Sequence, residues 1–266
     1  ELKEQLEPAE QGLYKLKPAF AKVSAGEARF LFTSEISCIY SKGGQVRRIH
    51  LVVLAPSVAA VEKINTQLGW VGNLHSDGRP ILGIDAKEVL KIALSASPDC
   101  MVIPAHAWTP WFSVFGSKSG FNSLEECFDE YTKYIYAIET GLSSDPAMNW
   151  RLSQLDKVAL ISNSDSHSLE KIGREANVFD TEVSYPAILE TLKAKDPKRF
   201  LHTVEFFPEE GKYHYDGHRL CGVSMAPAES KKQNNMCPKC KKPLVIGVLN
   251  RARTMKFAMK SLLDVH

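Results

Sequence analysis

The sequence predicts an α/β fold built on a mostly parallel sheet. Short apolar, β-branched runs alternate with segments of helical spacing along most of the chain. The predicted strands are nearly continuous in their apolar residues, as expected where both faces of a sheet are covered. An open doubly wound sheet and a β/α barrel both satisfy this pattern. Both display functional groups at the C-terminal ends of their strands.

The elements follow in order. The run 30-FLFTSEISCIYS-41, the turn 42-KGGQ-45 and the run 46-VRRIHLVVLA-55 read as two strands joined through Gly-Gly. Ser57 caps a helix over 58–69, and Asp85 caps one over 85–97. Strand 100–106 leads to a long loop and a helix over 123–133. Strand 134–140 precedes a helix over 145–155, and strand 157–165 precedes a helix over 168–176. A helix over 184–194 and a strand over 200–207 complete the pattern. A compositional break near Pro208 divides the chain into a main domain (1–207), a small polar module (208–250) and a tail (251–266).

The chain has 266 residues, with 33 Lys+Arg against 31 Asp+Glu and a formal charge of +2. Hydrophobic residues make up 44% and charged residues 24%, which excludes wholesale disorder. Apolar stretches such as 51-LVVLAP-56 fall far short of the ~20 residues of a membrane helix, so no membrane partner is expected. The near-neutral balance leaves nucleic-acid binding to local patches. The opening 1-ELKEQLEPAE-10 has no Met and no signal-peptide pattern, and it reads like a helix entered partway. An N-terminally incomplete chain is the expectation. Six cysteines in this length are too sparse for a disulfide scaffold and fit a reducing, cytoplasmic compartment. Cys38, Cys100 and Cys127 read as buried thiols.

Metal-type ligands occur where the fold would display them. Asp165 and His167 lie two apart at the end of strand 157–165, and His106 ends strand 100–106. Glu35 and His50 sit within apolar strands. Taken singly, His50 reads as a core histidine and Asp165 as the cap of a helix beginning at Ser168. Together they place several costly polar groups in or beside apolar strands, where they must be paired or ligated. Such a mixed imidazole and carboxylate set is typical of hydrolytic metal sites.

The order 35-EIS-37, 49-IHLVVLA-55, 104-PAHAWTP-110 and 164-SDSH-167 resembles the PHP (polymerase and histidinol phosphatase) superfamily. The strings 110-PWFSVFGSKSGFNSLEECF-128, 139-ETGLSSDPAMNWRLS-153 and 205-EFFPEEGKYHYDGHRLC-221 resemble, more narrowly, the endonuclease Q family of DNA repair nucleases. The likeness runs from about Glu1 to about Asn250. It implies a distorted (β/α)7 barrel, N-terminally incomplete, followed by a small zinc-binding module. It also implies metal-dependent hydrolysis on the 5′ side of deaminated bases (uracil, hypoxanthine) or abasic sites in DNA. The ligands of the divalent metals (Zn, Mn or Mg) would be Glu35, His50, His106, Asp165 and His167. Asp165, Glu35 and His167 are the expected catalytic residues, with Glu35 as the bridging carboxylate. The family's H-x-H pair occurs nowhere in the chain. The 266 residues alone are therefore expected to cleave uracil- or hypoxanthine-containing DNA poorly.

A second metal signal lies in the module. His218-x2-Cys221 and Cys237-x2-Cys240 give the spacing of a closed structural zinc site, with His214 or Asp216 as alternatives to His218. Basic residues cluster at 231-KK-232, 239-KCKK-242 and 251-RAR-253, a candidate phosphate-facing patch. The aromatic loop 108-WTPWFSVFG-116 either stacks on an extruded base or forms a satellite core. Trp108, Trp111, Ser144, Asp145 and Asn149 are the expected substrate-binding residues. Two other functions fit the same residues: a PHP phosphoesterase acting on a small phosphate ester, and a catalytically incomplete nucleic-acid-binding fragment.

Overall fold

The structure, a computed structural model, describes residues 2–17, 28–75 and 79–255. Residues 256–266 of the expected tail lie outside the described residues. The chain opens with α1 (Leu2–Gln5) and an antiparallel pair, β1 (Leu6–Pro8) and β2 (Tyr14–Leu16). Next come β3 (Phe32–Lys42) and β4 (Gln45–Ala55), paired antiparallel along their whole length. Gly43 and Gly44, at φ 61° and 71°, form the two-residue turn between them. Both angles are left-handed, as a tight hairpin twisted to match its strands requires.

α2 (Val58–Gly69) follows, its Ser57 cap accepting from Ala60 N at 3.2 Å. β5 (Ile81–Leu82) leads to α3 (Ala86–Ala96), where Asp85 accepts from Lys87 N at 2.8 Å. β6 (Met101–Pro104), α4 (Leu124–Phe128), β7 (Ala137–Glu139), α5 (Pro146–Asn149) and β8 (Ala159–Ile161) carry the chain through its middle. β9 (Ala176–Phe179), α6 (Tyr185–Ala194) and β10 (Phe200–Val204) follow. The last elements are β11 (Asp216–His218), β12 (Val223–Met225), α7 (Pro227–Lys232) and α8 (Val248–Thr254).

The strands form an arc in place of one parallel sheet. The order β5-β3-β4-β6 makes a mixed four-stranded sheet in which β4 runs antiparallel to both neighbours. Among the described residues, parallel pairing is confined to β3 with β5 and β7 with β8. Ala107 N donates to Glu139 O at 2.9 Å and carries the arc from β6 to β7. β9 and β10 form a separate antiparallel pair. No closed barrel forms among the described residues. The expectation of a mostly parallel sheet is corrected here because the two-residue turn forces β4 to reverse.

Three expected helices are also shorter. The one over 123–133 is α4 followed by a 3₁₀ turn, with Asp129 at φ 50° between them. The one over 145–155 is α5 and a separate 3₁₀ turn. The one over 168–176 is a single 3₁₀ turn, ended before Gly173 (φ 79°).

Period-two alternation on β3 and β4 separates two environments. Ile36, Cys38, Ile49, Leu51 and Val53 are buried against α2 and α3. Val52 and Leu54 pack on the opposite face with Leu13, Met101, Ile103 and Ile161. Glu35 and His50 have the same parity as Val52, so their side chains belong to that inner face, one register step apart.

Trp108 does not face solvent or a cleft. It is 1% exposed, and its Nε1 donates to Asn149 Oδ1 at 2.8 Å. Asn149 Nδ2 in turn donates to Asp145 O at 2.8 Å and Ser144 Oγ at 3.2 Å. Asp145 Oδ1 accepts from Met148 N and caps α5. Trp108, Ser144, Asp145 and Asn149, the residues expected at the substrate, thus form one hydrogen-bonded network. An indole N–H and a carboxamide in apolar surroundings are costly unless paired, and here they pair with each other. The expected boundary at 250/251 also falls inside α8. Val248, Ala252 and Met255 join the main core, and Arg251 donates to Phe115 O and Phe121 O, both at 2.9 Å.

Replacing Asn149 by Ala strands the Trp108 indole N–H. Denaturant unfolding of Asn149→Ala should show a loss of about 1–3 kcal/mol, the usual cost of orphaning a buried donor. An unchanged midpoint would contradict this account of the network.

Candidate functional site

Glu35 on β3, His50 on β4 and His106 just beyond β6 meet at one point. Glu35 Oε1 lies 2.8 Å from His50 Nδ1 and 3.4 Å from His106 Nε2. The two ring nitrogens are 3.1 Å apart. The segment beyond β6 holds the His50 backbone: its N–H donates to Phe112 O and its carbonyl accepts from Ala105 N, both at 3.0 Å. Phe112 also lies against the His50 ring, with centroids 4.5 Å apart.

The three separations fit a shared cation. Ligands about 2.0–2.1 Å from one ion sit roughly 3 Å from each other, as these do. Two imidazoles and a carboxylate form a borderline donor set, suited to zinc, manganese or iron. Secondary contacts also aim the donors. His106 Nδ1 pairs with Thr109 Oγ1 at 3.0 Å, and that hydroxyl donates to Trp111 O at 2.9 Å. The Thr109 oxygen therefore accepts from Nδ1–H, which leaves Nε2 as the ring nitrogen directed at Glu35.

The backbone around this point is strained. His106 (φ 28°), Phe112 (φ 61°) and Asp165 (φ 45°) are all left-handed without being glycine. Such conformations persist where the surroundings over-determine them, and they cluster at functional sites. Gly141 packs so closely on His106 that an added Cβ would stand 2.7 Å from the His106 Cβ.

Charge is managed in layers. Burial disfavours the Glu35 carboxylate, but hydrogen bonds from His106 and then His50 outweigh it and hold its pKa well below the usual range. Burial pulls the His50 pKa down. Burial acts likewise on His106, but Glu35 and then Glu139 reverse the effect and raise its pKa. Glu139, 4% exposed, lies behind the triad. Its Oε2 accepts from His106 N at 2.7 Å and its Oε1 from Asn163 Nδ2 at 2.9 Å. Burial raises the Glu139 pKa. Sequence reasoning passed over Glu139, although it lies one residue from the end of the expected strand 134–140, much as His106 ends 100–106.

The triad opens into a cleft of about 400 Å³ lined also by Arg48, Arg79, Trp111, Phe112, Asp165, His167 and Tyr213. Asp165 and His167 share this cleft but stand outside the close-packed donor group. His167, 73% exposed at its side chain, pairs through Nδ1 with Asp165 O at 3.0 Å. Trp111 meets Tyr213 edge-on at 6.3 Å, and Arg219 lies over the far ring at 5.5 Å. Arg48, Arg79 and Tyr213 were not singled out as site residues, although Arg48 directly precedes 49-IHLVVLA-55 and Tyr213 lies within the string 205–221. A larger cavity of about 820 Å³ lies between the sheet and α2, but one histidine and no carboxylate line it, so it holds no donor set.

His218, Cys221, Cys237 and Cys240 bring their ligand atoms within 4.8 Å of one another. The alternatives are occupied elsewhere. His214 Nδ1 pairs with Ser143 O at 3.0 Å, and Asp216 accepts from Gly247 N at 2.7 Å and Asn250 Nδ2 at 2.6 Å. At Cys237 burial opposes the thiolate, but backbone N–H groups of Cys240 and Lys239 favour it and lower the pKa. The thiolate is the form that binds metal. Lys231, Lys232, Lys239, Lys241 and Lys242 are exposed around this group, whereas Arg251 of the expected basic patch is tied to the core.

No family model matches the chain. Among curated proteins, the uncharacterized protein YqxK of Bacillus subtilis is 31% identical over 209 residues, covering 78% of this chain and 51% of its own length. The uncharacterized protein MJ0043 of Methanocaldococcus jannaschii is 31% identical over 157 residues, 56% of this chain and 19% of its own. The chain thus spans about half, or less, of the curated relatives it matches. Two solved structures share its fold over 98% of its length. The lesion-specific endonuclease PfuEndoQ from Pyrococcus furiosus gives a TM-score of 0.77 at 23% identity, with 60% of that chain covered. Endonuclease Q in complex with a 27-mer duplex carrying an abasic lesion at its active site gives 0.79 at 24%, with 61% covered. The chain has the endonuclease Q fold. Among the described residues no helix is long and apolar enough to cross a membrane.

Behind the cleft, Glu175 is 3% exposed and its Oε2 has no hydrogen-bond partner. Burial pushes its pKa up to about 7, with Glu205 and Glu139 adding repulsion. The folded state therefore binds the proton more tightly than the unfolded one, so stability falls as pH rises from about 4.5 to about 7. Glu175→Gln should raise the melting temperature at pH 8 and leave it nearly unchanged at pH 4.5. An equal effect at both pH values would refute the assignment.

Proposed function

We propose that the chain carries the metal-dependent active site of a DNA repair endonuclease acting at deaminated bases or abasic sites. The observation that carries this reading is the fold shared, over 98% of the chain, with an endonuclease Q that holds a lesion-bearing duplex at its active site. The donor triad supports it, because it lies at the floor of a cleft with aromatic and arginine walls. Glu35, His50 and His106 would hold a divalent cation, with Asp165 and His167 as further ligands across the cleft. When bound, the cation supplies positive charge that polarises a phosphoryl oxygen. The chain's own residues do the rest. Trp111 and Tyr213 offer flat faces for a nucleotide outside the stack. Arg48 and Arg79 offer planar donors to phosphate. His106 is fixed in one tautomer by Thr109, so its Nε2 stays available. Glu139 keeps the His106 backbone in its strained conformation.

His218, Cys221, Cys237 and Cys240 would hold a structural zinc, and the lysines around it would face the phosphate backbone. Phosphate-directed lysines favour a nucleic acid over a small phosphate ester.

With Mn²⁺ present, the 266-residue chain should bind a duplex with one abasic site or uracil about tenfold more tightly than the undamaged duplex. Any nick should map to the 5′ side of the lesion and be lost in Asp165→Ala. Equal affinity for both duplexes, together with turnover of p-nitrophenyl phosphate, would favour the small-ester phosphoesterase.

For the module, Cys237→Ala should release one zinc per chain and make residues 211–245 sensitive to protease while the main core stays folded. Binding free energy is folding free energy in so small a site. Unaltered protease resistance after chelation would count against a structural zinc.

A further inference from the structure

We infer that Arg79 couples metal binding at the triad to capture of a phosphodiester. The inference rests on the metal-site reading above and concerns a residue that reading leaves without a specific task. Arg79 Nη1 donates to Glu35 Oε1 at 2.6 Å, the same oxygen that faces His50 Nδ1 at 2.8 Å and His106 Nε2 at 3.4 Å. A carboxylate oxygen has two lone-pair directions, and three groups converge on this one. The two imidazoles would themselves ligate a cation at the triad. The guanidinium cannot lose its proton, so its claim on the oxygen is that of a permanent cation.

A metal ion at the triad competes with Arg79 for Glu35 Oε1. Two cations that close repel strongly in a partly desolvated cleft. The histidines reach Glu35 from buried positions, but Arg79 lines the cleft and is 33% exposed at its side chain. Its backbone stays in place. Pro80 O accepts from Ser37 N at 2.9 Å, and β5 begins one residue later against β3. The arm is therefore anchored two residues along β3 from the carboxylate that it pairs with. Arg79 lines the cleft beside Arg48, so a guanidinium released from Glu35 would offer its planar fork to a phosphate there in a bidentate pair. Metal at Glu35 thus frees the donor that the phosphodiester needs. By linkage, the phosphodiester tightens metal binding to the same degree.

Isothermal titration of the full chain with Mn²⁺ and with the dinucleotide pTpT tests this. Wild type should bind pTpT about tenfold more tightly with Mn²⁺ than without, within the usual range of such couplings. Arg79→Met should bind Mn²⁺ alone more tightly than wild type, because a competing cation is gone. Its pTpT affinity should no longer respond to Mn²⁺ through this arm, and the gain should fall to about twofold or less. Arg79→Lys keeps the charge and loses the fork. It should bind Mn²⁺ like wild type and pTpT weakly. Weaker Mn²⁺ binding by folded Arg79→Met, or an undiminished Mn²⁺ effect on pTpT in it, overturns the inference. If Arg79→Met does not fold, wild-type pTpT affinity by Arg79→Lys has the same meaning. If wild type itself binds no Mn²⁺, the metal-site reading fails as well, which separates the two failures.

Discussion

A single half-buried carboxylate oxygen, Glu35 Oε1, sets the terms for the rest of the centre. An unpaired charge there is costly, so the fold brings compensating groups to it. It does so from three directions: His50 by the register of β4, His106 by the end of β6, and Arg79 by the anchor of β5 on β3. Each depends on the full-length hairpin of β3 and β4. Slipping that pair by one residue would turn Glu35 or His50 into the α2/α3 core. The Gly43-Gly44 turn, far from the cleft, is therefore part of what fixes the site.

The second demand is on His106. Its imidazole reaches Glu35 from a left-handed backbone, a conformation that costs energy for any residue with a Cβ. Glu139 accepts the His106 N–H, Thr109 holds the ring, and Gly141 leaves space for its Cβ. Glu139 is itself buried and held by Asn163, so the layer behind the triad is polar but paired. Glu175 and Glu205 lie one layer further back, each with an unpartnered oxygen.

Much of this was legible in the residues, for identifiable reasons. The β3–β4 hairpin announced itself through Gly-Gly between two β-branched runs, and α2, α3 and α6 through caps and apolar spacing. Glu35, His50 and His106 were visible because a polar group in an apolar strand is unusual. What failed depended on tertiary context. The sequence pattern does not say that β4 runs antiparallel to β6 as well as to β3. Helical spacing over 168–176 gave way because Gly173 is left-handed and the residues after it pair as a strand. Trp108 looked like a stacking platform, yet its indole N–H satisfies Asn149 in the core. Arg79 carried no signal at all, because only the packing of a two-residue strand brings it to Glu35.

The central claim is that Glu35, His50 and His106 are co-ligands of one divalent cation. Anomalous scattering from crystals of this chain grown with Mn²⁺ tests it most directly, with data on both sides of the manganese edge. The account predicts a manganese peak at bonding distance from Glu35, His50 Nδ1 and His106 Nε2 together. Crystals that show manganese elsewhere, with the three donors still hydrogen-bonded to one another and no peak between them, would contradict it.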